Sequence, residues 1–247
     1  MRLARAKPPL VLLHGWGMDR QVFTPWLPAL EEDFLVDFWD LPGHGKRPCP
    51  GWDWEMELSA LHDFLAKLAA PPILLGWSLG GLLALALALR PQPPIAGLTL
   101  VASSPCFAQR RDWSAGIPTA QLQAFARELA TDAAAVRRRF LALQVLGDAE
   151  ARRQLPRVED WPLPDPVCLQ AGLGFLEQQD LRSSLRPLLF PVLLLAGDYD
   201  RIVPPAASGY LHGALPGSVL RRLPTGHAPF LSQPAACAAA LREVFWQ

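Results

Sequence analysis

A chain of 247 residues, 51% of them apolar, with 23 basic and 23 acidic side chains and no formal net charge, has material for one large α/β domain or a core carrying an insertion. Balanced charge supplies no field to hold nucleic acid or an anionic membrane surface, and no apolar run is long enough to span a bilayer. Cys49, Cys106, Cys168 and Cys237 are scattered without a C-x-x-C pair, so the expectation is four reduced thiols in a cytoplasmic protein, with neither a zinc site nor a disulfide framework.

In chain order, the basic stretch Met1 to Lys7 precedes an apolar run, Leu10 to Leu13, that is too short for a signal-peptide core. Pro9 to Leu13 reads as a buried strand that runs into His14-Gly15-Trp16-Gly17. Taken alone, that turn is ordinary. Phe34 to Trp39 is the next strand, and it ends in the turn-rich loop Asp40-Leu41-Pro42-Gly43-His44-Gly45. His44, flanked by glycines, reads as structural rather than as a base. Glu55 to Ala69 has helical spacing, with Leu58, Leu61, Leu65 and Leu68 on one face and His62 outside it.

Ile73-Leu74-Leu75-Gly76-Trp77-Ser78-Leu79-Gly80-Gly81 then carries a G-x-S-x-G pattern between a strand and an apolar helix, Leu82 to Leu89. That context makes it a nucleophile elbow: the glycines let strand and helix pass closely, and the turn lifts the Ser78 hydroxyl to a helix N-terminus. With the elbow present, the His-Gly turn gains a meaning. The N–H groups of Trp16 and Leu79 become the expected oxyanion donors. Ile95 to Ala102 is a further strand that closes on Ser103-Ser104-Pro105-Cys106-Phe107, where Cys106 has no adjacent base to make it a nucleophile.

From about Gln109 to Gln179 no strand-like run occurs, only helical patterns broken by prolines and glycine. Such a block between two β/α halves reads as an inserted cap over the sheet edge. It concentrates Arg137, Arg138, Arg139, Arg152, Arg153 and Arg157, which make either a solvated helix face or a docking patch for an acidic partner. Strand character returns at Pro191 to Ala196 and is followed by Gly197-Asp198-Tyr199-Asp200. Two aspartates there compete for the acid of a triad; Asp200 fits the spacing better and Asp198 is the alternative. Val219 to Leu223 is the last strand, His227 lies in the loop after it, and Pro234 to Phe245 is the closing helix. His212, in a surface helix, has no nameable partner.

Ser78, Asp200 and His227 follow one another in the order nucleophile, acid, histidine, and each follows an expected strand. That is the α/β-hydrolase order, distinct from the chymotrypsin and subtilisin orders. The expected architecture is an α/β-hydrolase fold: a mostly parallel sheet flanked by helices, with core residues 1–108 and 181–247 and a helical cap over 109–180.

Several stretches carry a more specific resemblance: Leu12 to Gly17, Asp40 to Gly43, Gly76 to Gly81, Val101 to Phe107, Phe140 to Gln144 and His227 to Phe230. With them, nearly the whole chain resembles the family of pimeloyl-acyl-carrier-protein methyl ester esterases of biotin synthesis. The resemblance implies a serine esterase without metal or cofactor, with Ser78 as nucleophile, His227 as general base and Asp200 as its orienter. It places Trp16 and Leu79 at the oxyanion site and Phe140, Leu141, Ala142, Leu143 and Gln144 along the acyl channel. The substrate it implies is a small acyl methyl ester on an acidic acyl-carrier protein, which gives Arg138, Arg139, Arg152, Arg153 and Arg157 a docking role; a monomer is the default expectation. Two departures from the family's pattern are a short leading segment before the first strand and Lys46-Arg47, where many relatives have a basic residue and then serine. Other readings on the same scaffold are a short-chain carboxylesterase, a lactonase, a C–C bond hydrolase or a non-catalytic receptor; serine at the elbow disfavours a dehalogenase.

Overall fold

The computed structural model describes residues 6–155 and 161–246. Strand β1 (Pro9–Leu13) is followed by a 3-10 turn and the short helix α1 (Leu27–Glu31), then by β2 (Leu35–Trp39), α2 (Trp54–Ala66), β3 (Ile73–Trp77), α3 (Leu79–Ala88) and β4 (Gly97–Val101). Four helices come next: α4 (Thr119–Leu129), α5 (Ala133–Gln144), α6 (Ala149–Gln154) and α7 (Pro166–Gln178). The chain then returns to β5 (Val192–Gly197), α8 (Pro205–Ala214), β6 (Val219–Leu223), the one-turn α9 (Pro229–Ser232) and α10 (Pro234–Phe245).

The six strands form one parallel sheet in the order β2-β1-β3-β4-β5-β6. Strand geometry sends alternate side chains to opposite faces. Val11, Leu13 and Leu74 therefore join the core built with α2, α3 and α7, while Leu10, Leu12, Ile73 and Leu75 join the one built with α1 and α10. Burial on both faces explains why β1, β3, β4 and β5 are near-continuous apolar runs. Helix α3 is buried along its whole length, which suits its all-round apolar sequence.

Register places the site. Leu13 lies opposite Trp39 and Gly76, Trp77 opposite Val101, and Gly197 opposite Leu223. The carboxyl ends of the strands thus share one edge, and the loops after β1, β3, β5 and β6 meet there. In open α/β sheets that crevice is where ligands bind.

The cysteines correct the sequence-based expectation of four free thiols. Cys49 and Cys168 form a disulfide with a Cα–Cα distance of 6.2 Å across 119 positions, while Cys106 and Cys237 are free and buried. Spacing along the chain carries no trace of this pairing. It arises because α7 docks on the loop after β2, with the Asp165 N–H donating to the Gly43 carbonyl at 2.9 Å. That docking brings the two Cα atoms within disulfide reach.

Candidate active site

Ser78 caps α3 with φ 55° and ψ −118°, a conformation a non-glycine residue holds only when its surroundings enforce it. The enforcement is local. The Ser78 N–H donates to the Val101 carbonyl at 3.0 Å, and the Ser103 hydroxyl donates to the Ser78 carbonyl at 2.9 Å. A Cβ at Gly76 would lie 2.3 Å from the Gly80 carbonyl oxygen, and one at Gly80 would lie 2.5 Å from the carbonyl oxygens of Leu13 and His14. Only glycine admits this crossing of strand and helix.

His227 is fully buried, and its Nδ1 sits 2.8 Å from Asp200 Oδ2. The other carboxylate oxygen of Asp200 accepts the N–H groups of Ile202 at 2.8 Å and Val203 at 2.9 Å. Asp198, the competing aspartate, turns outward and pairs with Arg222. Of the two aspartates, Asp200 is the one that reaches His227. Ser78 Oγ and His227 Nε2 are among the buried polar atoms without a hydrogen-bond partner at this edge. The Asp200 carboxylate orients the ring and leaves His227 Nε2 free to take a proton, as a general base requires, while Ser78 Oγ and His227 Nε2 make no hydrogen bond to each other.

The loop after β1 runs beside the elbow. The backbone N–H groups of Trp16 and Leu79 have no acceptor among the described residues, and Leu79, at the first position of α3, has no intrahelical acceptor to use. The Trp16 indole donates to the Leu169 carbonyl of α7 at 2.8 Å and meets Phe140 edge-on at 4.9 Å. Two buried histidines hold this loop to the one after β2: His14 Nε2 accepts the Leu41 N–H at 3.0 Å, and His44 Nε2 accepts the Gly17 N–H at 3.3 Å. Burial pushes both imidazoles below their ordinary value, His44 to about 3 with added repulsion from His14, so both are neutral and able to accept. His44 is structural, as its glycine-flanked setting suggests. In the same loop Arg47 forms a two-point pair with Glu57, both contacts at 2.7 Å, and lies over the Trp39 ring.

Helical periodicity divides the Phe140–Gln144 segment. Phe140 and Leu143 line a cavity of about 100 Å³ with Ile117, Phe125, Arg201 and Ile202. Leu141 packs instead with the other core, and Ala142 is exposed. Gln144 is buried with both amide atoms unbonded. Arg138, Arg139, Arg152 and Arg153 are exposed; Arg139 pairs with Glu128 and Arg153 with Glu150, while Arg138 and Arg152 have no carboxylate partner among the described residues. Arg157 lies outside the described residues.

Some supports of the site carry no sequence signal that singles them out. The Trp77 indole donates to the His227 carbonyl at 2.8 Å, and the Gln144 carbonyl accepts the His227 N–H at 3.2 Å. Asp148 caps α6 and also accepts the Gly226 N–H at 2.9 Å and the Ser232 hydroxyl. Burial works to raise the Asp148 carboxyl, but donors from Ala151, Ser232 and Gly226 outweigh it and hold the group below its ordinary value. His212, for which the sequence offers no partner, contacts the Ser218 hydroxyl through Nδ1 at 2.9 Å.

Residues 10–240 match the alpha/beta hydrolase family. The chain belongs to that family. Its place within it is among the carboxylic ester hydrolases. A pimeloyl-[acyl-carrier protein] methyl ester esterase of Aromatoleum aromaticum is 40% identical over 96% of this chain and 98% of its own length. The enzyme of the same name from Aeromonas hydrophila is 41% identical over 92% and 91%, and that of Stenotrophomonas maltophilia is 39% identical over 95% and 92%. Among solved structures, an esterase from Exiguobacterium antarcticum superposes with a TM-score of 0.86, covering 96% of this chain and 91% of that one at 23% identity, a likeness of fold alone. No helix among the described residues is long and apolar enough to cross a membrane.

Proposed function

We propose that this hydrolase cleaves the methyl ester of a pimeloyl group carried on acyl-carrier protein, as the names of its relatives say of them, and that it does so through Ser78, His227 and Asp200. The observation that carries the reading is the pair of buried, unbonded atoms, Ser78 Oγ and His227 Nε2, backed by the bond from His227 to Asp200 at 2.8 Å.

His227 Nε2 takes the Ser78 proton as Oγ attacks the ester carbonyl. Asp200 keeps the other ring nitrogen protonated and stabilises the imidazolium. The N–H groups of Trp16 and Leu79 hold the oxyanion, each worth about 3–4 kcal/mol by analogy with other serine hydrolases. The intermediate expels methanol on receiving the proton back, water attacks the acyl-enzyme by the same route, and a free carboxylate leaves. The chemistry calls for neither metal nor organic cofactor. An uncharged methyl ester suits a channel walled by Phe140 and Leu143, whereas the carboxylate product is costly to hold there.

In this reading residues 109–180 form a cap between core residues 1–108 and 181–247, and its exposed arginines face the acidic carrier. Arg138 and Arg152, which lack carboxylate partners among the described residues, are the most available. Cytoplasmic placement is part of the same reading, and the Cys49–Cys168 bridge bears on it, because disulfides are rare in reducing compartments. Alkylating thiols as intact cells are lysed tests this: reduced Cys49 supports the placement and a bridged pair argues against it.

The deciding assay sets pimeloyl-carrier-protein methyl ester beside a short p-nitrophenyl ester. A preference for the carrier-linked ester that weakens with salt supports the reading. Hydrolysis of the simple ester alone reduces the protein to an esterase of another substrate. Ser78→Ala should lose turnover by a factor on the order of 10⁶ in a folded protein; retained activity overturns the triad.

A further inference from the structure

The run Arg137-Arg138-Arg139 does not lie on one surface. Arg138 and Arg139 are exposed, but Arg137 is buried, at 3% exposure. Its Nε donates to the Gly17 carbonyl at 2.9 Å, and its Nη1 to the carbonyls of Trp161 at 3.3 Å and Pro162 at 3.1 Å. No carboxylate among the described residues forms a hydrogen bond or ion pair with it. Asp19 acts on it only through space, and covering a guanidinium without a directly paired carboxylate is costly, a cost that carbonyl contacts offset only in part. Packing alone does not account for an arginine at this position of α5.

What it touches does. Gly17 directly follows Trp16. Its N–H is held by His44 at 3.3 Å and its carbonyl by Arg137, so the peptide units on both sides of Gly17 are fixed. One turn along the same face of α5, Phe140 meets the Trp16 ring, and a turn further the Gln144 carbonyl takes the His227 N–H. A spacing of three puts the Arg137 and Phe140 side chains on one helix face, and the Gln144 contact is made by a backbone carbonyl at the end of the helix. A single helix thus grips the oxyanion loop twice and the histidine loop once.

We propose that Arg137 is a positioning residue for the oxyanion hole: its guanidinium fixes the Gly17 carbonyl and thereby the aim of the Trp16 N–H, and its charge, which no direct ion pair among the described residues takes up, favours the anionic intermediate over the neutral ester. The proposal rests on the reading of Ser78 as nucleophile with Trp16 and Leu79 as oxyanion donors. A fixed cation beside a site closed to water acts more strongly on charge that develops during reaction than on a neutral ground state. The predicted signature is a loss in kcat rather than in KM.

The test compares Arg137→Met and Arg137→Lys with wild type on p-nitrophenyl butyrate, together with affinity for a trifluoromethyl ketone, which forms a charged tetrahedral adduct with the serine. Arg137→Met should lower kcat by about 10- to 100-fold with KM within about twofold, and should weaken the ketone by the same factor. Arg137→Lys, which keeps a cation, should recover part of both. A folded variant with only a lower melting temperature and kcat within about twofold of wild type overturns the proposal, as does a kcat loss without a matching loss of ketone affinity. If Arg137→Met does not fold, Arg137→Lys decides: parallel losses support the role and unchanged values overturn it. Failure of the underlying reading is distinct, because wild type would then not react with a fluorophosphonate at Ser78.

Discussion

Ser78 and Gln144 are both buried polar side chains with unbonded atoms at the same edge of the sheet, yet they are held there by different means. Ser78 sits on a pattern that is continuous in sequence, a strand that ends at Trp77, a helix that begins at Leu79 and glycines at 76 and 80 that admit no Cβ, and the ends of β1 and β4 brace it. Gln144 is fixed by the docking of α5, whose partners are Gly17 and Trp16 in the loop after β1 and His227 in the loop after β6. The elbow is specified locally, and the helical stretch over it is specified by contacts far apart in the chain. The two should therefore respond differently to mutation, the elbow region through chemistry and the helical stretch through attachment.

The largest effect that separates them belongs to the aspartates after β5. Asp200→Asn removes the carboxylate that holds the His227 tautomer while preserving shape, and should lower kcat by about 10⁴-fold. Asp198→Asn loses only a surface pair with Arg222, worth about 1 kcal/mol or less, and should leave kcat near wild type. If the two variants lose activity equally, the geometry at His227 has been misassigned.

How much of this was legible beforehand follows the same division. The six strands, the elbow and the order Ser78, Asp200, His227 could be read because each rests on a short pattern of apolar alternation, glycine or turn residues. The sequence could not choose finally between Asp198 and Asp200, since two aspartates that close together differ only in which way each side chain points. In the helical stretch it marked Phe140–Gln144 and the arginines as segments, but not that periodicity would send Leu141 to one core and Phe140 to another, or turn Arg137 inward from Arg138. The Cys49–Cys168 bridge and the cap of Asp148 on the histidine loop were beyond it, because both arise only after distant elements have docked.

Attachment of the helical stretch can be loosened at that bridge. Cys49 is partly exposed, and Cys168 lies one residue from Leu169, whose carbonyl holds the Trp16 indole. Cys49→Ser should cost about 2–4 kcal/mol in denaturant unfolding, and a dithiol reductant should lower wild type by the same amount. Hydrogen exchange sharpens the contrast: amides of α7 should exchange faster in Cys49→Ser while those of β3 stay protected. Equal loosening of both would mean that the stretch and the sheet unfold as one unit.

The next effect depends on pH and sits where the loops after β1 and β2 join. His44 titrates at about 3 in the folded protein against 6.5 when unfolded. Its folded value is depressed, so between these limits the unfolded chain binds the extra proton. Stability is complete above about 6.5 and falls as pH drops towards 3, at up to about 1.4 kcal/mol per pH unit for one proton. His14, also lowered by burial, steepens the decline. His44→Gln, which keeps an acceptor for the Gly17 N–H, should flatten the dependence of melting temperature on pH across that window; an unchanged slope would remove His44 as its source.

Asp148 gives the smallest effect and joins the two regions. Its carboxylate caps α6 and holds Gly226 and Ser232 around His227. Asp148→Asn keeps one oxygen for the cap and loses the charge, so a cost of about 1–2 kcal/mol at neutral pH is expected. The carboxyl is held below its ordinary value, so its contribution is complete above the unfolded pKa and is lost as pH falls through the folded one. The difference in melting temperature between wild type and Asp148→Asn should therefore be largest near neutrality and shrink in acid below about pH 4. A constant difference across pH would mean that the side chain acts by shape alone, and that the charge contributes nothing to tying the histidine loop to α6.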